Sequence, residues 1–144
     1  MKRHPALIPI SREHHQLLLL AQLLKKDAPA YKGMPTDLAG KVDYAKNTWD
    51  SLIKQHVELE EKVLYPTLIS YAPSLSNLVN ELKKGHDEIR GLFNNLILDI
   101  ESMDRLGKLI EQHVRKEERI LFQKAQELLT EEQLDQLKTL LSAD

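Results

Sequence analysis

The sequence contains no cysteine. Disulfides, thiolate zinc sites and thiol nucleophiles are therefore excluded, any metal must use nitrogen and oxygen ligands, and the composition fits a reducing compartment. Glycine and proline are sparse, at 5 and 6 residues, and runs of β-branched residues are few, whereas Leu, Lys, Glu and Gln dominate. Such a composition favours helix and carries no sign of disorder. An excess of one charge is also lacking: 20 basic and 22 acidic residues are interspersed for a net charge of −2, which leaves no electrostatic footprint for nucleic acid or an anionic membrane surface. Long hydrophobic runs are absent, since the longest, Leu17 to Ala21, is far too short to span a bilayer. The opening MKRHPALIPISREHH is cut by Pro5 and Pro9 and ends in charge, which makes a poor secretory signal. The expectation is a soluble cytoplasmic protein, with residues 1–144 forming one domain whose length allows a single real core.

What is present is helical periodicity. Ser11 is a good N-cap, and Leu17, Leu20, Ala21 and Leu24 recur at helical spacing until the stretch from Pro29 to Pro35. From Thr36 an uninterrupted pattern runs to about Ser70, a length of roughly 50 Å. A break at Ala72-Pro73-Ser74 restarts a third helix that runs toward Asp99–Glu101, and a fourth runs from near Asp104 to about Leu129. Thr130 and Gln133 form a capping box that opens a short fifth helix to Leu141. Four long helices with short connections predict an all-α, antiparallel up-down four-helix bundle with a short C-terminal helix.

The inward seam of such a bundle should be apolar. The seam positions are Ile10, His14, Leu17, Ala21 and Leu24 in helix 1, and Ala45, Trp49, Leu52, His56, Glu60 and Val63 in helix 2. Helix 3 gives Val79, Leu82, His86, Ile89, Phe93 and Leu96, and helix 4 gives Leu106, Ile110, His113, Glu117 and Ile120. Each helix thus places one His on its seam, and two add a Glu one turn later. At 1.5 Å per residue His14 and His56 fall within about one turn of each other in depth, His56 and His86 lie nearly level, and His113 is offset by about 7 Å. One core layer is therefore expected to hold four imidazoles and two carboxylates. Two unpartnered buried carboxylates would cost several kcal/mol each, against a net stability of about 5–15 kcal/mol. A salt-bridged His–Glu cluster would relieve this cost. A pair of divalent metal ions would do so with ligand bonds, and His and Glu four residues apart share the helix face that chelation or bridging needs.

The stretches REHHQLL at 12–18, HVELEEKVLYP at 56–66, KGHDEIRGLF at 84–93 and HVRKEERILF at 113–122 together resemble the hemerythrin family, specifically the bacterial HHE cation-binding domains, over nearly the whole chain. A single His-x-x-x-Glu is a weak motif; an ordered set of four in a helical chain of this length is specific. The resemblance implies two non-haem, carboxylate-bridged iron ions in the bundle core. It further implies His14, His56, His86 and His113 as terminal ligands, Glu60 and Glu117 as bridging carboxylates, and a small diatomic such as O2 or NO as the ligand handled.

The chain also reads as two half-repeats. Aligning them places His14 with His86, Leu17 with Ile89 and Leu20 with Leu92, which favours His14 over His15 and leaves His15 to the flank or to solvent. Glu61 and Glu118 sit about 100° round the helix from their neighbours, where they can orient a ligand histidine. Glu118 stays open as an alternative to Glu117, because the oxygen-carrying hemerythrins use a carboxylate five residues after this histidine. His4 precedes the bundle and reads as ordinary, and Trp49, Phe93 and Tyr65 read as packing. The oxygen carriers also place a second His four residues after the His of helix 3, where this chain has Arg90. A guanidinium has no lone pair for a metal, although it can hydrogen-bond a flanking carboxylate. Two other readings of function remain: nitric oxide, peroxide or iron handling at the same centre, and a metal-free helical interaction module.

Overall fold

A computed structural model describes residues 2–143, and all regular structure among them is helical. Helix α1 is Ile8–Leu24 and α2 runs without interruption over 38–71. A short 3-10 turn, Pro73–Leu75, leads into α3, Ser76–Asn94. Helix α4 covers 100–128, and α5 is Glu131–Ser142.

Several ends differ from the sequence expectation. Helix α1 starts at Ile8, ahead of Ser11, because Pro9 falls in the first turn, where a missing N–H costs nothing. The Ser11 hydroxyl instead donates to Glu118. Asp37, the neighbour of Thr36, caps α2 by accepting the Gly40 N–H. Helix α3 stops at Asn94, and Asp99 caps α4 by accepting from Ser102. Asp104, expected as the start of that helix, lies inside it and accepts the Lys26 N–H just beyond α1. Leu96 falls in the connection, beside the exposed Ile97 and Leu98. The Thr130–Gln133 capping box opens α5 in both of its hydrogen bonds.

Cross-helix contacts order the bundle. Between α4 and α1 with its flanking residues the partners are Arg3 with Gln126, His14 with Glu118, Gln22 with Glu111 and Lys26 with Asp104. Along α2 and α3 they are Trp49 with Phe93 and Glu61 with His86, and along α3 and α4 they are Glu81 with Lys116 and His86 with His113. A Cβ on Gly107 would stand 2.6 Å from the Ala21 carbonyl oxygen, so glycine at this position lets α4 lie close against α1.

Three π turns, Trp49–Ile53, Glu60–Leu64 and Glu117–Leu121, are built into α2 and α4. In each the following amide bonds five residues back: Lys54 to Trp49, Tyr65 to Glu60, and Phe122 to Glu117. The extra residue advances the helix by roughly one position, or 100°. For this reason Ile53, Leu64 and Leu121 are buried where Leu52, Val63 and Ile120 were expected on the seam, and Ile120 is 41% exposed.

Two apolar clusters result. One gathers Leu7, Ile10, Leu64, Leu68, Leu82, Leu121 and Phe122 with Leu134 and Leu137 of α5. The other gathers Leu17, Leu20, Ala21, Ile53, Val57, Ile89, Leu106, Ile110 and Val114. On each helix the histidine, and on α2 and α4 the glutamate after it, lies near the changeover from one cluster to the other.

The phase shift fixes an expected pair of outcomes. Leu121→Ala should cost about 2–5 kcal/mol through the cavity it leaves, whereas Ile120→Ala should stay within about 0.5 kcal/mol. Urea unfolding of the two variants checks this, and equal losses would mean that the helix does not slip phase at Glu117.

Candidate metal centre

Helical spacing delivers the polar layer one turn at a time: His14 from α1, His56 and Glu60 from α2, His86 from α3, and His113 and Glu117 from α4. Both glutamates are fully buried, and His14, His56 and His86 are at most 3% exposed. The His113 side chain keeps 8% exposure. The imidazoles meet in pairs, with ring centroids 5.0 Å apart for His14 and His56 and 4.4 Å for His86 and His113.

The two nitrogens of each ring do different work. His14 Nδ1 bonds Glu118 at 2.5 Å, His56 Nδ1 bonds Glu13 at 2.9 Å and His86 Nδ1 bonds Glu61 at 2.8 Å. Each brace comes from a neighbouring helix. A carboxylate at Nδ1 fixes the proton there, so the neutral ring presents the Nε2 lone pair to the interior. In the interior, Glu117 reaches His14 Nε2 at 3.1 Å and His113 Nε2 at 3.3 Å, while Glu60 reaches His86 Nε2 at 3.0 Å and His56 Nε2 at 3.4 Å. The Tyr65 hydroxyl, fully buried, donates to Glu117 Oε2 at 2.7 Å. Tyr65 therefore orients a carboxylate as well as packing.

Satisfaction is nevertheless incomplete. Among the described residues three buried side-chain atoms make no hydrogen bond: His56 Nε2, Glu60 Oε2 and His113 Nε2. All three belong to this one layer, and buried polar atoms are rarely left without partners. A small cavity of about 20 Å³ lies beside the layer, lined by His56, His86 and His113 and otherwise by aliphatic side chains such as Leu17, Ile53 and Ile89.

The charges settle accordingly. Burial pushes the Glu60 carboxyl up, but the charge of His56 and hydrogen bonds from the layer hold it well below the usual range. Burial likewise works to lower His56 and His14, yet Glu60 and Glu13 hold the first well above its ordinary value, and Glu117 and Glu118 raise the second. Burial opposes protonation of His113 too, but Glu117 raises it to about 9.

All six candidate ligands named from the sequence converge, and two groups of potential donor atoms form, each with its atoms within 4.8 Å of one another: His14, His56, Glu60 and Glu117, and Glu60, His86 and His113. His15 is exposed and outside both groups. Glu118 and Glu61 stand outside the layer, at the rear of the rings. Arg90 donates to Glu61 at 3.1 Å and to Asp87 at 2.8 Å. Trp49, half-buried, stacks on Phe93 at 4.8 Å. Glu13 was not identified from the sequence: it precedes the seam histidine of its own helix but serves His56, 43 residues away. A separate grouping of His4 with Glu131 at 2.8 Å and Asp135 at 4.0 Å lies at the surface. There His4 Nδ1 accepts the Ala6 N–H, so Nε2 keeps its proton and donates it, an ordinary tie between the chain start and α5.

Comparison with known proteins adds one match: the family described as the hemerythrin HHE cation binding domain covers residues 9–125. No curated protein and no solved structure matches the chain. No helix is long and apolar enough to cross a membrane among the described residues.

The raised histidines set the pH response of metal-free protein. Stability from a raised histidine is fully present below about pH 6.5 and is lost as pH rises through its folded value, about 9 for His113. The depressed Glu60 acts oppositely, contributing above its ordinary value of 4.5 and losing its contribution as pH falls through its lowered one. Chelator-treated protein should therefore unfold at falling urea concentrations between pH 6.5 and 9. A midpoint that rises across that window would contradict the charge pairing described. Cation binding needs neutral imidazoles and should shift the optimum upward.

Proposed function

Because the chain belongs to the hemerythrin HHE cation-binding family, we propose that its polar layer holds two non-haem, carboxylate-bridged iron ions, within an antiparallel up-down bundle forming one domain, and that the loaded centre takes up or reacts with O2 or NO. The observation that carries the metal reading is the set of three buried side-chain atoms without a hydrogen bond, His56 Nε2, Glu60 Oε2 and His113 Nε2, all in this one layer. A salt-bridged cluster brings those atoms only to 3.3–4.0 Å from an opposite charge, without a hydrogen bond; a cation would give each of them a ligand bond.

Glu60 belongs to both donor groups, which supports a bridging role. Glu117 stands between His14 and His113, within 3.3 Å of each, which supports the second bridge. His14 and His56 would serve one ion, His86 and His113 the other. An imidazole and carboxylate set with open positions suits non-haem iron, which supplies a redox-active centre for a small ligand.

The protein's own part is to orient and to exclude. Glu118, Glu13 and Glu61 hold three rings with Nε2 inward, and Tyr65 holds Glu117. The largely aliphatic cavity beside the histidines, about 20 Å³, is of the size that holds about one water-sized molecule, which supports a small ligand over an organic substrate. Arg90 favours reaction over carriage: it is engaged by Glu61 and Asp87 and adds no ligand where the oxygen carriers have a histidine.

Purified or anaerobically reconstituted protein should hold about two irons per chain. Glu60→Ala should lose the pair, whereas Glu61→Ala should keep it at saturating iron with affinity lowered about 10–100-fold, as expected for a residue acting behind a ligand. Zero iron in both preparations would leave the metal-free helical module as the reading.

Stopped-flow mixing of the reduced, iron-loaded protein with O2 separates turnover from carriage. The expected outcome is oxidation that is not reversed when O2 is withdrawn. Return of the reduced spectrum under vacuum would establish carriage.

A further inference from the structure

The repeat makes one irregularity visible. With His14 aligned to His86, Glu60 and Glu61 correspond to Glu117 and Glu118, and Glu13 corresponds to Gly85. The braces follow the same symmetry. Glu61 of the first half holds His86 of the second, and Glu118 of the second holds His14 of the first. Glu13 holds His56 within the first half, but its counterpart in the second half has no side chain with which to hold His113.

Gly85 lies in the middle of α3, where glycine is a poor helix former. A Cβ there would stand 3.2 Å from His113 Nδ1, tighter than ordinary packing. His113 is accordingly the one core imidazole whose Nδ1 makes no hydrogen bond among the described residues, and its ring borders a surface notch of about 140 Å³ beside Gly85, Gln112 and Lys116.

We infer that the two halves of the centre are built unequal, with the ion held by His86 and His113 the exchangeable one, because Gly85 leaves His113 unbraced and open to the notch while Glu13 locks His56. A brace at Nδ1 fixes ring orientation and raises ligand basicity, and its loss costs about 10–100-fold in metal affinity. His113 can rotate toward the notch and release its ion without breaking a bond to another helix. His56 must first part from Glu13. Glu13 and Gly85 act here as positioning residues, through the rings they hold or leave free.

This inference rests on the two-ion reading above, and the test keeps the two separable. Iron(II)-loaded protein is challenged anaerobically with a colorimetric iron(II) chelator while NMR follows the signals that the paramagnetic ions broaden. Release should come in two phases, about one ion each, with rates separated by about 10–100-fold. Signals around His86 and His113 should recover in the first. Glu13→Ala, which gives the first half the vacancy of the second, should bring the slow phase close to the fast one; Glu13→Gln, which keeps an acceptor oxygen, should fall between. Two ions leaving in a single phase, first recovery around His14 and His56, or a slow phase unmoved in both Glu13 variants would each overturn the inequality. A chain that takes up no iron would overturn the two-ion reading, and this inference with it.

Discussion

Two carboxylates with no exposed surface, Glu60 and Glu117, sit in the middle of a small helical core, and the rest of the molecule is arranged around making that tolerable. Transfer of an ionised carboxylate out of water costs several kcal/mol even after relaxation, a large fraction of the roughly 5–15 kcal/mol that holds a domain together. Burial favours neutralising Glu60 by protonation, but the charge of His56 and hydrogen bonds from the layer oppose it and hold the carboxyl well below its ordinary range. The charge is instead met from four sides by imidazoles and, at Glu117, by the Tyr65 hydroxyl. The apolar residues then pack on either side of this layer.

The same constraint accounts for two of the three π turns. A regular α-helix entering the layer with His56 and Glu60 inward would continue with Val63; the π turn beginning at Glu60 brings Leu64 inward instead and lets Glu61 reach the back of His86. The turn beginning at Glu117 does the same for Leu121 and for Glu118 with His14. Each of these two π turns thus serves two ends at once: it keeps a carboxylate in the core and aims the next carboxylate at a histidine of another helix. Such turns concentrate at functional sites in helical proteins.

The braces tie the site to the bundle. Glu13 joins α1 to α2, Glu61 joins α2 to α3, and Glu118 joins α4 to α1, with Arg3 and Ser11 also held by Glu118. The interface of α3 with α4 carries no such brace at the layer, and Gly85 stands there. Braces at three of the layer's interfaces and none at the fourth follow from one difference between the halves, Glu13 against Gly85.

The sequence by itself determined the helical class, the five segments and the six inward polar residues, because each of these is written in local spacing: a period of three and four, a capping box at Thr130, a histidine followed one turn later by glutamate. The tertiary structure decided what local spacing does not encode. No residue pattern announces the extra residue of a π turn, so Leu52, Val63 and Ile120 were expected inside where Ile53, Leu64 and Leu121 are found. Helix phase puts Glu61 and Glu118 at the flank, where they can orient a histidine, but does not say which ring each one holds, and Glu13 looks like a solvated charge in sequence. Glu13 acquires its role from a histidine 43 residues away, and Glu118 from one 104 residues away. The absence of a brace at Gly85 is likewise invisible until the helices are packed, because a hydrogen bond across a bundle depends on the relative rotation and depth of two helices, quantities fixed by the whole core rather than by either segment.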